Sequence, residues 1–279
     1  MAITTRDEFF NALANNSSRV VFDKASIASQ TASSFCSFWR GTGQPGQGEI
    51  PTTAAVCNDS LLGCIGFTQQ TSPATSFFRR SPAVTSNAAM SLDTHDRLMH
   101  MGGLSGTVTT AQTVNLDLAA NLATDDLDAR KGAANYSDVQ WWLEWYTATG
   151  SSVITATVNV TYNDGTSGNL TAQSLNSNRP ASLMIPLNGL IPAADSGKFI
   201  RDVNTVQLSA TTGTAGNFGV TATRYHCGNF LPLANARWTA KWDDLGVPEI
   251  TNNSCLFAIM LTSTTNTGTL RATGKIAHG

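Results

Sequence analysis

WYTATGSSVITATVNVTY (Trp145 to Tyr162), VQLSATTGTAGNFGVTATRY (Val206 to Tyr225) and AIMLTSTTNTGTLRATGKIA (Ala258 to Ala277) are three versions of one phrase. Each opens on an apolar, strand-like lead, passes through a tip of Thr, Ser, Asn and Gly, and closes on a second alternating run. Alternation with a period of two marks a strand with one face buried, and no soluble helix pattern produces it. Its recurrence predicts a sandwich or barrel with several similar hairpins. The tips, Thr149 and Gly150, then Thr212, Gly213 and Thr214, then Thr265, Asn266 and Thr267, carry hydroxyls and amides but no acid, base or thiol. They are expected to be presented at one end of a rigid body as a neutral surface.

The same pattern extends outward from these phrases. SGTVTTAQTVNLDL (Ser105 to Leu118) places β-branched residues at nearly every second position, and RVVFDK (Arg19 to Lys24) reads as a further strand. In DVQWWLEWY (Asp138 to Tyr146), Val139, Trp141, Leu143 and Trp145 fall on one face, expected as core. Asp164-Gly165 supplies a tight turn. Strands at intervals of roughly 8–12 residues with turn signals between them predict an all-β, antiparallel β-sandwich of jelly-roll type. Ala234 to Leu245 reads as a helix-like or turn-like excursion before the last phrase.

At the N-terminus, Thr5-Arg6-Asp7-Glu8 has the form of a capping box, with Phe9, Phe10 and Leu13 following on one helical face. GTGQPGQGEIPTT (Gly41 to Thr53) sustains neither helix nor strand. The expected division is an N-terminal arm over residues 1–48 and a β-sandwich domain over 49–279.

Only 13% of the 279 residues are charged, against about 25% in ordinary soluble domains. Net charge is -2 with no basic cluster, so the electrostatic footprint of nucleic-acid binding is missing. No stretch reaches the roughly 18 apolar residues of a membrane span, and MAITTRDEFFNALANN has neither the basic start nor the apolar centre of a signal peptide. Synthesis is therefore expected to end in a cytoplasm. The five cysteines, Cys36, Cys57, Cys64, Cys227 and Cys255, form no C-x-x-C and read as buried free thiols, with a Cys57 to Cys64 bridge left open for an oxidising medium.

Conventional sites are weak. His95 and His100 stand five apart, which on a regular strand points them to opposite faces and away from a shared metal. Ser105 in GLSG lacks the full nucleophile elbow. Asp125, Asp126 and Asp128, and Asp243 with Asp244, have no calcium-loop spacing and read as solvated charge. No cofactor, metal or catalytic residue is expected, and the chain reads as non-enzymatic. Trp142 and Tyr146, sharing the non-core face with Glu144, are expected at an interface or, as the rival, on a sugar-stacking platform. Phe9, Phe10, Leu13, Phe38 and Trp39 belong to an arm that folds back on its own sandwich or docks on a neighbour.

DRLMHMGGLSGTVTTAQTVN (Asp96 to Asn115), WLEWYTATG (Trp142 to Gly150) and LSATTGTAGNFGV (Leu208 to Val220) resemble a group of proteins encoded among the virion-structure genes of tailed bacteriophages. The likeness extends over most of the chain, through structural phrases with no catalytic signature. The resemblance implies a capsid decoration or cement protein on the virion surface, assembled in the host cytoplasm. Its partners would be the major capsid protein and sister subunits, as an oligomer such as a trimer. A carbohydrate-binding or host-attachment module of a tail or fibre, contacting host glycans, is the alternative.

Overall fold

The computed structural model describes residues 2–238 and 248–279. In chain order the first strands are β1 (Ser17–Lys24), β2 (Phe35–Ser37), β3 (Gly43–Gln44), β4 (Ala55–Val56), β5 (Ser76–Thr85), β6 (Ala89–Leu104), β7 (Gln112–Asp117) and β8 (Val139–Thr147). There follow β9 (Ile154–Tyr162), β10 (Ser167–Asn169), β11 (Gln173–Leu175), β12 (Leu183–Pro186), β13 (Ile200–Leu208), β14 (Asn217–Leu231), β15 (Glu249–Ile250), β16 (Leu256–Thr262) and β17 (Leu270–His278). Helix α1 spans Arg6–Asn15 and the single turn α2 spans Leu127–Arg130. The chain is all-β with antiparallel sheets and a short N-terminal helix, as its alternation predicts.

The central sheet closes on itself. β14, β8, β12, β2, β16 and β6 pair in turn, and β6 returns to pair with β14 from Phe218↔Leu104 to Leu231↔Ala89. A ring of strands removes the exposed edges that an open sheet must protect. One flank carries the sheet β15-β5-β17-β1-β3, and the other carries β10-β9-β13-β7 with β11 added to β9.

Alternation sorts the side chains among these layers. Val139, Trp141, Leu143 and Trp145 of β8 pack outward against Val158, Val160, Val203 and Val206 of β9 and β13. Leu256, Ala258 and Met260 of β16 pack outward on the other side against Val20, Phe22 and Ile276. The opposite faces of both strands, with Trp142, Tyr146, Phe257 and Ile259, fill the ring together with Trp39 and Met184. Each fully buried aliphatic or aromatic side chain contributes about 1.5–3 kcal/mol, so the interface between the ring and the β9–β13 flank, with the most buried apolar residues, is the largest source of stability and the ring interior the smallest of the three.

The three repeated phrases are not hairpins. β8 lies in the ring and β9 in a flanking sheet, β13 in that same flank and β14 in the ring, β16 in the ring and β17 in the opposite flank. Each tip therefore carries the chain from one layer to another. Alternation reports that one face of a strand is buried, and it is silent on which strand lies alongside.

Residues 1–48 are not an arm. β1 runs between β17 and β3, in register from Ser17↔Ala277 to Lys24↔Leu270, and β2 is a member of the ring between β12 and β16. The Gly/Pro loop is held from inside, because Lys24 Nζ donates to the carbonyls of Gly41 (2.9 Å), Pro45 (2.5 Å) and Gly46 (3.1 Å). Gly48 and Gly63 press on the Trp39 indole so closely that a Cβ at either would collide with it. Glycine-rich composition here reflects close packing rather than a linker. Helix α1 does begin with the expected capping box, Thr5 Oγ1 accepting from Glu8 N (3.3 Å) and Glu8 Oε2 from Thr5 N (2.9 Å). Of the excursion expected over 234–245, Trp238 bridges to Ala83 of β5, and residues 239–245 lie outside those described.

Candidate functional site

The ring encloses charge. Arg97 of β6 is fully buried and donates from Nη2 to Glu144 Oε2 (2.5 Å), Tyr146 OH (2.9 Å) and Thr221 Oγ1 (3.1 Å), and from Nε to His100 Nδ1 (3.0 Å). Thr221 Oγ1 in turn donates to Glu144 Oε2 (2.5 Å). The guanidinium lies over the Trp39 ring at 4.4 Å and near Phe257 at 5.2 Å, the geometry of a cation–π contact. Burial alone would raise the Glu144 carboxyl, but Arg97 and the hydroxyls around it more than offset that and hold it below its ordinary value.

A second buried pair stands just outside the ring. Arg130 of α2 makes a bidentate contact with Asp96 (2.9 and 2.7 Å) and also donates to the carbonyls of Cys57 (2.6 Å) and Arg97 (3.0 Å). Asp96 accepts in addition from the Cys255 amide at 2.8 Å. Burial pushes this carboxyl up, Arg130 pulls it down further, and it remains below its usual range.

The histidines depart from their expected faces. Register slips between Ala222↔Met99 and Thr223↔Arg97, so β6 carries a bulge at Leu98. One extra residue reverses the alternation beyond it. His95, Arg97 and His100 consequently all face the ring. His95 bonds Thr223 Oγ1 (3.2 Å) beside Trp142 and Tyr225, and burial, with His226 adding to it, pushes its pKa down to about 3. Because Arg97 donates into His100 Nδ1, the His100 proton sits on Nε2, which then serves as a donor and not as a metal ligand. Among the described residues no group of three or more His, Cys, Asp and Glu is arranged to hold a metal ion.

The remaining candidates are structural. Ser105 bonds Thr107 and Gln112 within its turn. Asp125 and Asp126 accept from Asn58 and Asn253, and Asp128 pairs with Lys131 at 2.7 Å. Asp243 and Asp244 lie outside the described residues. The interface aromatics need correction: Phe38, Trp39, Trp142 and Tyr146 are buried by their own chain, Trp142 donating from Nε1 to Thr223 Oγ1 at 2.9 Å. They form neither a docking face nor a sugar platform: the ring closes over Trp39, Trp142 and Tyr146, and Phe38 packs outside it with Val20 and Phe22. Phe9 and Leu13 pack with Phe77 and Ala277, while Phe10 stays 49% exposed.

The tips are mostly fastened. Gly150 N donates to Thr212 Oγ1 (3.0 Å), Thr212 Oγ1 donates to Thr214 O (2.7 Å), and Arg179 Nε reaches Thr149 Oγ1 (2.9 Å), so the first two tips lock together at one end. In the third, Thr267 Oγ1 accepts from Ile27 N (2.9 Å), Gln30 N donates to Thr265 O (2.8 Å), and Asn87 bonds Asn266. Gly213, Thr214 and Thr265 remain exposed, whereas Thr212 and Thr267 are buried. Arg97 and Arg130 are functional-looking residues that the sequence reading passes over, and Glu144, placed there only beside Trp142 and Tyr146, is paired with Arg97. For Arg97 and Glu144 the signal is a charged residue inside a long strand flanked by apolar and aromatic neighbours, as in HDRLMH and WLEWY; Arg130, in the charged stretch DDLDARK, carries no such signal.

No protein-family model matches the chain, and no curated protein sequence matches it. Among solved structures, the VP2 subviral particle of infectious bursal disease virus aligns at 10% identity over 94% of this chain and 79% of that one, with a TM-score of 0.17. The Gt strain of that virus aligns at 10% identity over 94% and 80%, with the same TM-score of 0.17.

Proposed function

We propose that this chain is a non-enzymatic structural protein of a virus particle, of the capsid decoration or cement type in a tailed phage, bound to the major capsid protein and to sister subunits. The observation that carries it is the placement of charge. The strongest ionic groups are spent inside the fold, while Leu62 (68% exposed), Val153 (68%), Leu233 (65%) and Phe230 (53%) stay at the surface. Phe230 and Met90 sit next to the Leu231↔Ala89 pair at the end of β6 and β14, with Leu233 two residues beyond. Apolar side chains gathered on a stiff body suit contacts repeated over a lattice, where symmetry multiplies modest affinities. The phrases shared with virion-structure proteins support the same class.

Purified heads lacking the protein test this. Wild-type chain should bind them at stoichiometric occupancy, and Phe230→Asp with Met90→Asp should lower occupancy at least tenfold without changing the unfolding midpoint. Failure of the wild-type chain to cosediment with heads overturns the proposal.

A host-glycan attachment role is favoured by a different place from the one expected. A cleft lined by Thr31, Ser33, Gln173, Asn176, Asn178 and Arg179 beside Phe35 offers hydroxyls, amides, a guanidinium and a ring edge, groups to which sugars hydrogen-bond and stack. Binding to host envelope sugars that is lost on Asn176→Ala would select this role over the first.

A further inference from the structure

Cys57, Cys64 and Cys255 share one part of the ring interior with Trp39 and Phe257, and all three are free buried thiols. Backbone pairing sets two of them side by side. β16 and β4 occupy the same edge of β6 end to end, β14 holding the other edge. Arg97 N donates to Cys255 O at 2.9 Å, and Cys57 N donates to Leu98 O at 2.9 Å, so the two cysteines stand at consecutive positions along β6 although they are far apart in sequence. Neighbouring strand positions ordinarily face opposite ways, but the bulge at Leu98, opposite Cys57, brings both side chains into the ring, where the two thiols lie within hydrogen-bonding reach of each other, the proximity a disulfide requires.

Their surroundings give them different roles. Burial would raise the Cys57 thiol, but the Cys255 thiol, the imidazole of His100 and the Arg97 guanidinium together take it well below its ordinary value. Cys255 is shifted the other way, by burial and by the thiols of Cys57 and Cys64 beside it. Cys64 is occupied by its own turn, donating to the carbonyls of Asp59 (3.0 Å) and Asn58 (3.5 Å).

The geometry points to Cys57 and Cys255 as a disulfide-forming pair, oxidised by peroxide, that staples the seam where β4 and β16 meet on β6. The Cys57 thiolate attacks one oxygen of hydrogen peroxide, an S–O bond forms, the O–O bond breaks, and the departing hydroxide takes a proton to become water. The Cys255 sulfur then attacks the sulfenic acid at Cys57. Its thiol proton leaves with the hydroxyl as a second water, so two thiols are oxidised and one peroxide is reduced. The pair is independent of what the outer surface binds.

The test is peroxide treatment of the native full-length chain, quenching with catalase, alkylation of remaining thiols after unfolding, and a non-reducing peptide map. The expected result is loss of two thiols, a reducible link between the Cys57 and Cys255 peptides, and alkylated Cys36, Cys64 and Cys227. Cys64→Ser should form the same link, and its yield in Cys57→Ser or Cys255→Ser should be nil. A link through Cys64, or retention of all five thiols at peroxide levels that oxidise a free cysteine control, overturns the assignment.

Discussion

Arg97 Nη2 lies 2.5 Å from Glu144 Oε2 at the centre of a closed ring of strands, with neither side chain more than 1% exposed. Two unlike charges taken out of water gain little over a well-packed apolar pair, but removing one leaves the other buried and uncompensated. Arg97→Met should therefore cost about 3–5 kcal/mol. Arg97→Met combined with Glu144→Leu should recover most of that loss. Urea midpoints of the two variants and the wild type decide it, and a single variant within about 1 kcal/mol of wild type would contradict the ring interior described here.

Stability should fall on mild acidification. The His95 pKa drops from 6.5 unfolded to about 3 folded, so below pH 6.5 the unfolded chain takes up a proton that the folded chain refuses. Linkage puts the loss at about 3 kcal/mol by about pH 4.5. Asp96 and Glu144 are shifted down from 3.8 and 4.5, so their contribution is complete above those values and is lost only as pH falls through the lower folded ones. Burial lowers His226 and His278 as well, so urea unfolding between pH 7 and 4.5 should show a slope that His95→Gln reduces without abolishing.

The junction of the first two tips tolerates no side chain. A Cβ on Gly150 would stand 1.9 Å from Thr212 O and 2.6 Å from Thr214 N, both backbone atoms. Gly150→Ala should cost about 1–3 kcal/mol, whereas Gly189→Ala, with nothing within 4 Å, should stay within about 0.5 kcal/mol. Thermal midpoints of the two variants provide the comparison.

Truncations separate the helix from the strands behind it. Removing residues 1–16 takes away α1 and leaves β1 intact, so a soluble chain with an unchanged β-type circular dichroism spectrum is expected. Removing residues 1–40 deletes β1 and β2 and takes Trp39 from the ring. That chain should be insoluble. Recovery of a folded 41–279 fragment would restore the arm that the sequence suggests.

The strands and the helix start were legible because their signals are local. Alternation in β8, β9 and β16 and the Thr5–Glu8 box each lie within a few residues. Pairing was not legible, since three similar phrases look the same whether each returns beside itself or crosses to another sheet. Ring closure decided the rest: Trp142 and Tyr146 lie on the face opposite the one expected as core, which is exposed on an open sheet and interior once β6 meets β14. The bulge at Leu98 likewise moved His100 to the side of His95, a single-residue event that no spacing rule anticipates.

The proposed role as a repeated component of a particle surface stands or falls on a reconstruction of purified virions. A three-layered density is expected at regular positions on the head, with the Phe230 and Met90 end of the β6–β14 pair against a neighbouring subunit. Particles of full infectivity with no such density, and no peptide of this chain in their mass spectra, would contradict it.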